Sequence, residues 1–150
     1  MKKVDLAYVA GLFDGEGCIS IAKCKPRRPS NSPYYRLVVA VNMANEYIPR
    51  LLKSHFGGRV NRSPKGKEHW RQEWQWHLGS KGAVAFLEAI LPHLKLKREE
   101  AELAIEFQAN KGVNWNMQRT GASPLRKSDE QLDIEEAQRL LLAKLKDKSV

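Results

Sequence analysis

"VAGLFDGEG", residues 9–17, closes an apolar run with two carboxylates, Asp14 and Glu16, and three glycines, Gly11, Gly15 and Gly17, within seven residues. The apolar spacing before it predicts a helix over 4–15. Such an ending is costly. Glycine inside a helix is worse than alanine by roughly 1 kcal/mol, and a carboxylate facing the negative end of the dipole loses about 0.3 to 1 kcal/mol more. Gly11 and Gly15 lie four residues apart, on one helix face, and let a second helix approach backbone to backbone. Contact between two such helices would bring two Glu16 carboxylates together at the helix ends, where they repel unless a proton or a cation lies between them. Hard divalent ions such as Mg²⁺ take oxygen ligands of this kind, and paired metals serve phosphodiester hydrolysis. The costly helix end is therefore read as half of a metal site.

Outward from this helix the chain alternates in a regular order. Segments 17–25 and 34–43 read as strands joined by the proline-rich loop KPRRPSNSP, which forbids regular structure. Asn45 suits the cap of a helix over 46–56 that stops at Gly57-Gly58, and strands over 58–63 and 69–78 flank the turn Pro64 to Lys67. Ser80 is expected to cap a helix ending at Pro92, and Leu96 to Asn110 makes another. The order is one αββ unit used twice, then a helix, which is an α+β fold. Beyond Asn110 the composition turns to Asn, Gly, Ser, Thr and Pro until Ser128, where a Ser-x-x-Gln pattern opens a last helix to about Lys146. The division is a core over 1–110 and a C-terminal extension over 111–150 with one helix.

Composition narrows the partner. The chain has 150 residues, 42% of them apolar, enough for one hydrophobic core, and carries a net charge of +9. That excess lies in the segment 18–80, confined to the predicted strands, which favours a polyanionic partner. Strand alternation puts Leu37, Val39, Val41, Met43, Trp70, Trp74, Trp76 and Leu78 in one apolar phase and a basic, polar set in the other. The tryptophans are thus read as core rather than as a base-stacking platform. An antiparallel sheet with one wet basic face fits a DNA major groove, and ten-residue strands reach about 30 Å, roughly nine base pairs. Cys18 and Cys24 are too far apart along one strand to form a disulfide. The four histidines show no zinc-ligand spacing. No stretch approaches a membrane span, which points to a soluble intracellular protein with no membrane partner and no organic cofactor.

The same nine residues resemble the LAGLIDADG motif of the homing endonucleases. Ala10, Gly11, Leu12, Asp14 and Gly17 are identical to it, Val9 stands for Leu, and Phe13, Gly15 and Glu16 replace Ile, Ala and Asp. The likeness extends through "RLVVAVNMAN", "HFGG" and "LPHLKLKREEAELAIEF", and covers about residues 4–108. It implies an αββαββα core with a saddle-shaped antiparallel sheet plus C-terminal helices, and a metal-dependent endonuclease acting on double-stranded DNA, in a bacterial or phage cytoplasm or an organelle. Glu16 aligns with the residue that binds the catalytic metal, Mg²⁺ or another divalent cation, and Gly15 with one that offers its backbone carbonyl. Lys97, in "LKLK", aligns with a basic residue beside the active site. Met43 falls where the family often has a water-orienting Gln or Asn, with Asn42 next to it on the opposite face.

A single motif copy resembles the homodimeric members, pairing through residues 7–16 with Ala7, Tyr8, Gly11, Leu12, Asp14 and Gly15 at the dimer interface, on a near-palindromic site. Asp14 is expected to accept hydrogen bonds from backbone amides there. Each sheet would cover one half-site with Ser20, Cys24, Arg28, Tyr34, Arg36, Arg59, Asn61, Arg71 and Gln75, while Lys65 and Lys67 reach phosphates. Beginning at Met1 without intein-like flanks, the chain reads as freestanding. The alternative reading is a non-cleaving nucleic-acid binder of the same fold, an RNA maturase or a transcriptional regulator.

Overall fold

The computed structural model describes residues 2–26, 33–64, 66–118 and 129–148. Helix α1 (Lys3–Glu16) leads into strands β1 (Gly17–Cys24) and β2 (Tyr34–Met43); α2 (Tyr47–Phe56) leads into β3 (Arg59–Arg62) and β4 (Trp74–Gly79). Helix α3 (Ser80–Ile90), a short 3-10 turn (Leu91–His93), α4 (Arg98–Gln118) and α5 (Asp129–Lys148) complete the order. The repeated αββ arrangement expected from the sequence is present. Its four strands form one antiparallel sheet in the order β1-β2-β4-β3, so the second strand of each unit pairs at the centre.

The helices bury one face of this sheet. Ile19, Ile21, Leu37, Val39, Val41 and Trp76 point into them and are buried together with Val9, Ala10 and Phe13 of α1. Phe86 of α3 is the hub, with ring centroids 5.2 Å from Phe13, 4.8 Å from Phe56 and 5.0 Å from Trp76, all edge to face, the favoured geometry of aromatic pairs. The buried Trp76 indole donates to the Gly57 carbonyl at 2.8 Å, so its polar atom is satisfied. Gly57 and Gly58 stop α2 with φ of 79° and 87°, and a Cβ on Gly58 would lie 2.5 Å from the His77 carbonyl oxygen, a position that only glycine fills without strain.

Several expected boundaries move. Strand β4 starts at Trp74, not at residue 69, because β3 ends at Arg62 and the ladder closes on the pair Arg62–Trp74. Past that pair the Ser63 N–H still reaches the Glu73 carbonyl at 2.9 Å, but residues 69–72 have no strand partner among the described residues, and Trp70, expected in the core phase, is 53% exposed. Ser80 does not cap α3. It is the helix's first residue, at φ 54°, with Gly79 in the cap position. Asn45 is not the cap of α2 either: the helix starts at Tyr47 and Glu46 holds the cap position, with Asn45 one residue earlier, its side chain accepting the Tyr47 N–H at 2.8 Å. Helix α4 continues past Asn110 to Gln118. Ser128, expected to open the last helix, lies outside the described residues.

The last helix is not a loose appendage. Leu142 of α5 is buried in the main core, and Glu136 receives the Tyr35 hydroxyl at 2.6 Å and the Arg139 guanidinium at 3.0 and 2.6 Å, with Lys23 at 3.9 Å. Hydrogen bonds from Arg139 and Tyr35 hold the Glu136 carboxyl down at about 2, below its ordinary 4.5. Burial, then the bond to Glu136, pushes the Tyr35 phenol up to about 12. Glu136 therefore adds stability that is present above its unfolded value and is lost as pH falls from 4.5 towards 2. Tyr35 adds stability that is present below 10 and is lost as pH rises through about 12. Thermal melts across pH are expected to decline at both ends. In Glu136→Gln the acid-side decline should flatten; an unchanged acid limb would count against this clasp. No helix among the described residues is long and apolar enough to cross a membrane.

Candidate active site and nucleic-acid face

One carboxylate ties the end of α1 to the start of α4. Asp14 Oδ2 accepts the Lys95 N–H at 2.9 Å, and Oδ1 accepts those of Leu96 at 3.2 Å and Lys97 at 3.0 Å. Amides leading into a helix have no partner inside it and point at just such an anion. The tie runs back as well, since the Lys97 ammonium donates to the Asp14 main-chain carbonyl at 2.5 Å. That carbonyl is in the last turn of α1, where intrahelical donors run out and a cation is favoured by the dipole. A lysine placed unfavourably at the start of its own helix is thus held at the negative end of another. The amides that Asp14 accepts from belong to its own chain.

Asp14→Ala would orphan these amides and release Lys97 from its seat. The expected loss is about 1–3 kcal/mol of stability, read as a lower thermal midpoint, with Asp14→Asn in between because its amide oxygen still accepts. A midpoint equal to the wild type's in Asp14→Ala would refute this role.

Beyond this tie, the end of α1 is open. Gly15 and Glu16 are exposed, and no ion pair among the described residues involves Glu16. Gly17 turns at once into β1, and a Cβ there would lie 2.2 Å from the Phe13 ring, so glycine is required for the strand to start this close. The donors on offer are the Glu16 carboxylate and helix-end carbonyls, hard oxygen ligands that suit Mg²⁺ or Ca²⁺ rather than a thiolate-loving metal. Among the described residues no group of three or more His, Cys, Asp or Glu could enclose an ion.

Among the described residues, nothing covers the opposite face of α1. Ala7, Gly11 and Gly15 are exposed, Tyr8 is 56% exposed, and Leu12 is half-buried. Sequence reading missed Leu96, which stands 68% exposed in the turn that Asp14 holds. An apolar residue directly after a lysine, between the last core residue Leu94 and the helix, was the available signal.

The register confirms which side chains share the open face of the sheet. Cys24 lies opposite Tyr34, and Ala22 opposite Arg36; Ser20 lies opposite Val38, which in turn pairs with Gly79. Nearer Glu16, Cys18, Ala40, His77 and Arg59 form one row across all four strands, and Asn42, Gln75 and Asn61 form the next. Ser20, Cys24, Tyr34, Arg36, Arg59, Asn61 and Gln75 thus share a face, as the alternation predicted. Arg36 lies across Gly79, where a Cβ would come 2.7 Å from its guanidinium. His77 and Asn42 belong to this face too and were left out of the candidate set, although the same alternation marks them. Lys67 and Arg71 sit off the strands, in the β3–β4 loop, so Arg71 loses the strand-face position expected for it. Arg28 and Lys65 lie outside the described residues. Met43 packs against the core, and the neighbouring Asn42 is exposed on the open face.

Residues 9–110 match the family model described as LAGLIDADG endonuclease. No curated protein matches the chain. Among solved structures, the homing endonuclease I-CvuI, in complex with the I-CreI target in the presence of Mg, its DNA not cleaved, superposes with a TM-score of 0.73 at 17% identity, covering 95% of this chain and 82% of that one. The archaeal intron-encoded homing endonuclease I-Vdi141I, complexed with DNA, gives 0.60 at 14% identity, covering 97% and 99%. The meganuclease I-SmaMI, bound to uncleavable DNA, gives 0.67 at 12% identity, covering 90% of this chain but 43% of that one.

Proposed function

The chain belongs to the LAGLIDADG endonuclease family, and from that premise we propose that it is a homodimeric, site-specific double-strand DNA endonuclease dependent on Mg²⁺ or a similar divalent cation. The carrying observation is the exposed Glu16 at the end of a helix whose Gly11–Gly15 face is bare, beside a lysine tethered to the same helix end. Two chains packed through that face place two Glu16 carboxylates and the neighbouring carbonyls at one point, which completes the oxygen shell that one chain leaves partial. A divalent cation bound there supplies the Lewis acidity for phosphodiester hydrolysis. Glu16 and the Gly15 carbonyl hold it, and Lys97 places positive charge beside the phosphate oxygens as charge develops on them. The open face of each sheet, with Arg36, Arg59, Asn61 and Gln75, reads one half-site in the major groove, and a two-fold dimer reads a near-palindrome. I-SmaMI, of whose length this fold covers 43%, is of a size to hold two such units in one chain.

Met43 favours a second reading. Its thioether packs against the core, leaving the end of β2 without the polar group that the family often places there, as a non-cleaving binder would tolerate. A randomised duplex pool incubated with the protein and Mg²⁺, then sequenced, separates the two. Cut ends around one near-palindrome support the nuclease; enriched but uncut duplexes support the binder; no enrichment overturns both.

A further inference from the structure

Trp70 is the large aromatic that the fold does not explain. It is 53% exposed, in the loop between β3 and β4, yet its ring is held in place. The Trp70 backbone N–H donates to the Lys67 carbonyl at 3.0 Å, closing a tight turn. Its ring lies over the bare backbone of Gly66, where a Cβ would come within 2.6 Å of ring carbons. The Lys67 ammonium stands 5.9 Å from the ring centroid, a cation–π contact that keeps a positive charge beside the aromatic face. Together with His69, Arg71 and Glu73 the ring borders an open hollow of about 450 Å³. Exposure alone would be ordinary for a single side chain; what sets this ring apart is that it is fixed on Gly66 with a cation at its face.

The register says where this loop stands. Gly17, next to Glu16, pairs with Val41, which pairs with Trp76; Trp74 and Arg62, from which the loop departs, lie two residues further in the same direction. The loop therefore leaves the sheet about 7 Å beyond the row that begins β1, at the end of the sheet that carries Glu16. At about 3.4 Å of rise per base pair, that is roughly two base pairs past the row that begins β1. We infer that Trp70 is a DNA-contacting residue that packs on backbone sugars at the end of each half-site nearest Glu16, between Lys67 and Arg71 on the flanking phosphates. The inference rests on the DNA reading above. Charge supports that occupant: Lys67 and Arg71 flank the apolar ring against the single carboxylate of Glu73 in the same hollow, and such cations suit the phosphates on either side of a sugar.

The test measures dissociation constants for a mixed-sequence duplex, long enough to span both half-sites, against salt concentration. Trp70→Ala is expected to weaken binding about tenfold with an unchanged salt slope, while Lys67→Ala lowers the slope by about one. Trp70→Phe should recover most of the affinity. Gly66→Ala, which drives a methyl into the ring, should weaken binding in the same direction as Trp70→Ala. The emission difference between wild type and Trp70→Phe should be quenched by the duplex. Wild-type binding matched within about twofold by Trp70→Ala, at equal thermal midpoints, overturns this inference and leaves the DNA reading intact. Absence of duplex binding by the wild type overturns the DNA reading and this inference with it.

Discussion

Glu16→Gln is expected to abolish DNA cleavage while leaving duplex binding unchanged or tighter. The carboxylate is exposed, and no ion pair among the described residues involves it, so the substitution removes charge and little else. Thermal stability should therefore stay near that of the wild type. Cation stabilisation of the reaction is worth several kcal/mol, and each 1.36 kcal/mol is tenfold in rate, so a fall of about 10³-fold or more follows from losing the ligand. Binding moves the other way because two negative charges beside the phosphates disappear. Glu16→Asp, which restores the residue type of the family motif, should keep measurable cleavage. Single-turnover cleavage and anisotropy titration read both effects on one preparation. Cleavage by Glu16→Gln at the wild-type rate would remove Glu16 from the site.

What could be read from the chain, and what could not, divides along the range of the interactions. The α1 ending and the strand alternation are local patterns, and both the helix end and the shared open face of Ser20, Arg36, Asn61 and Gln75 emerge from them. Trp70 fits the same alternation and still leaves it, because a strand exists only where a partner continues, and β3 stops at Arg62. Gly112 and the asparagines after Asn110 argue against helix, by about 1 kcal/mol for the glycine, yet the backbone of α4 stays helical to Gln118. The tie from Asp14 to Lys97 spans 83 residues and that from Tyr35 to Glu136 spans 101. No local pattern links Tyr35 to Glu136; only the fold makes each the other's partner.

Gly11→Leu is expected to separate folding from assembly. A Cβ at Gly11 meets nothing within 4 Å, and the same holds at Gly15. The isolated chain therefore accommodates the larger side chain, and helix propensity improves by up to about 1 kcal/mol, so the thermal midpoint of the protomer should not fall. A stability argument alone would have replaced this glycine. Between two chains the effect reverses, because close packing of α1 on its copy needs both helix backbones bare, and leucine holds them apart. The two Glu16 carboxylates then no longer meet, and the second half-site is no longer held by the same assembly. Losing that linkage is expected to lower affinity for a near-palindromic duplex about 10²-fold or more, with cleavage lost and half-site affinity retained. Light scattering at micromolar concentration should give the mass of one chain for the variant and two for the wild type, with Gly11→Ala between them in dimer strength. A wild type that scatters as one chain with its target bound, or a Gly11→Leu variant that still pairs and cuts, would show that the glycine face serves some other contact.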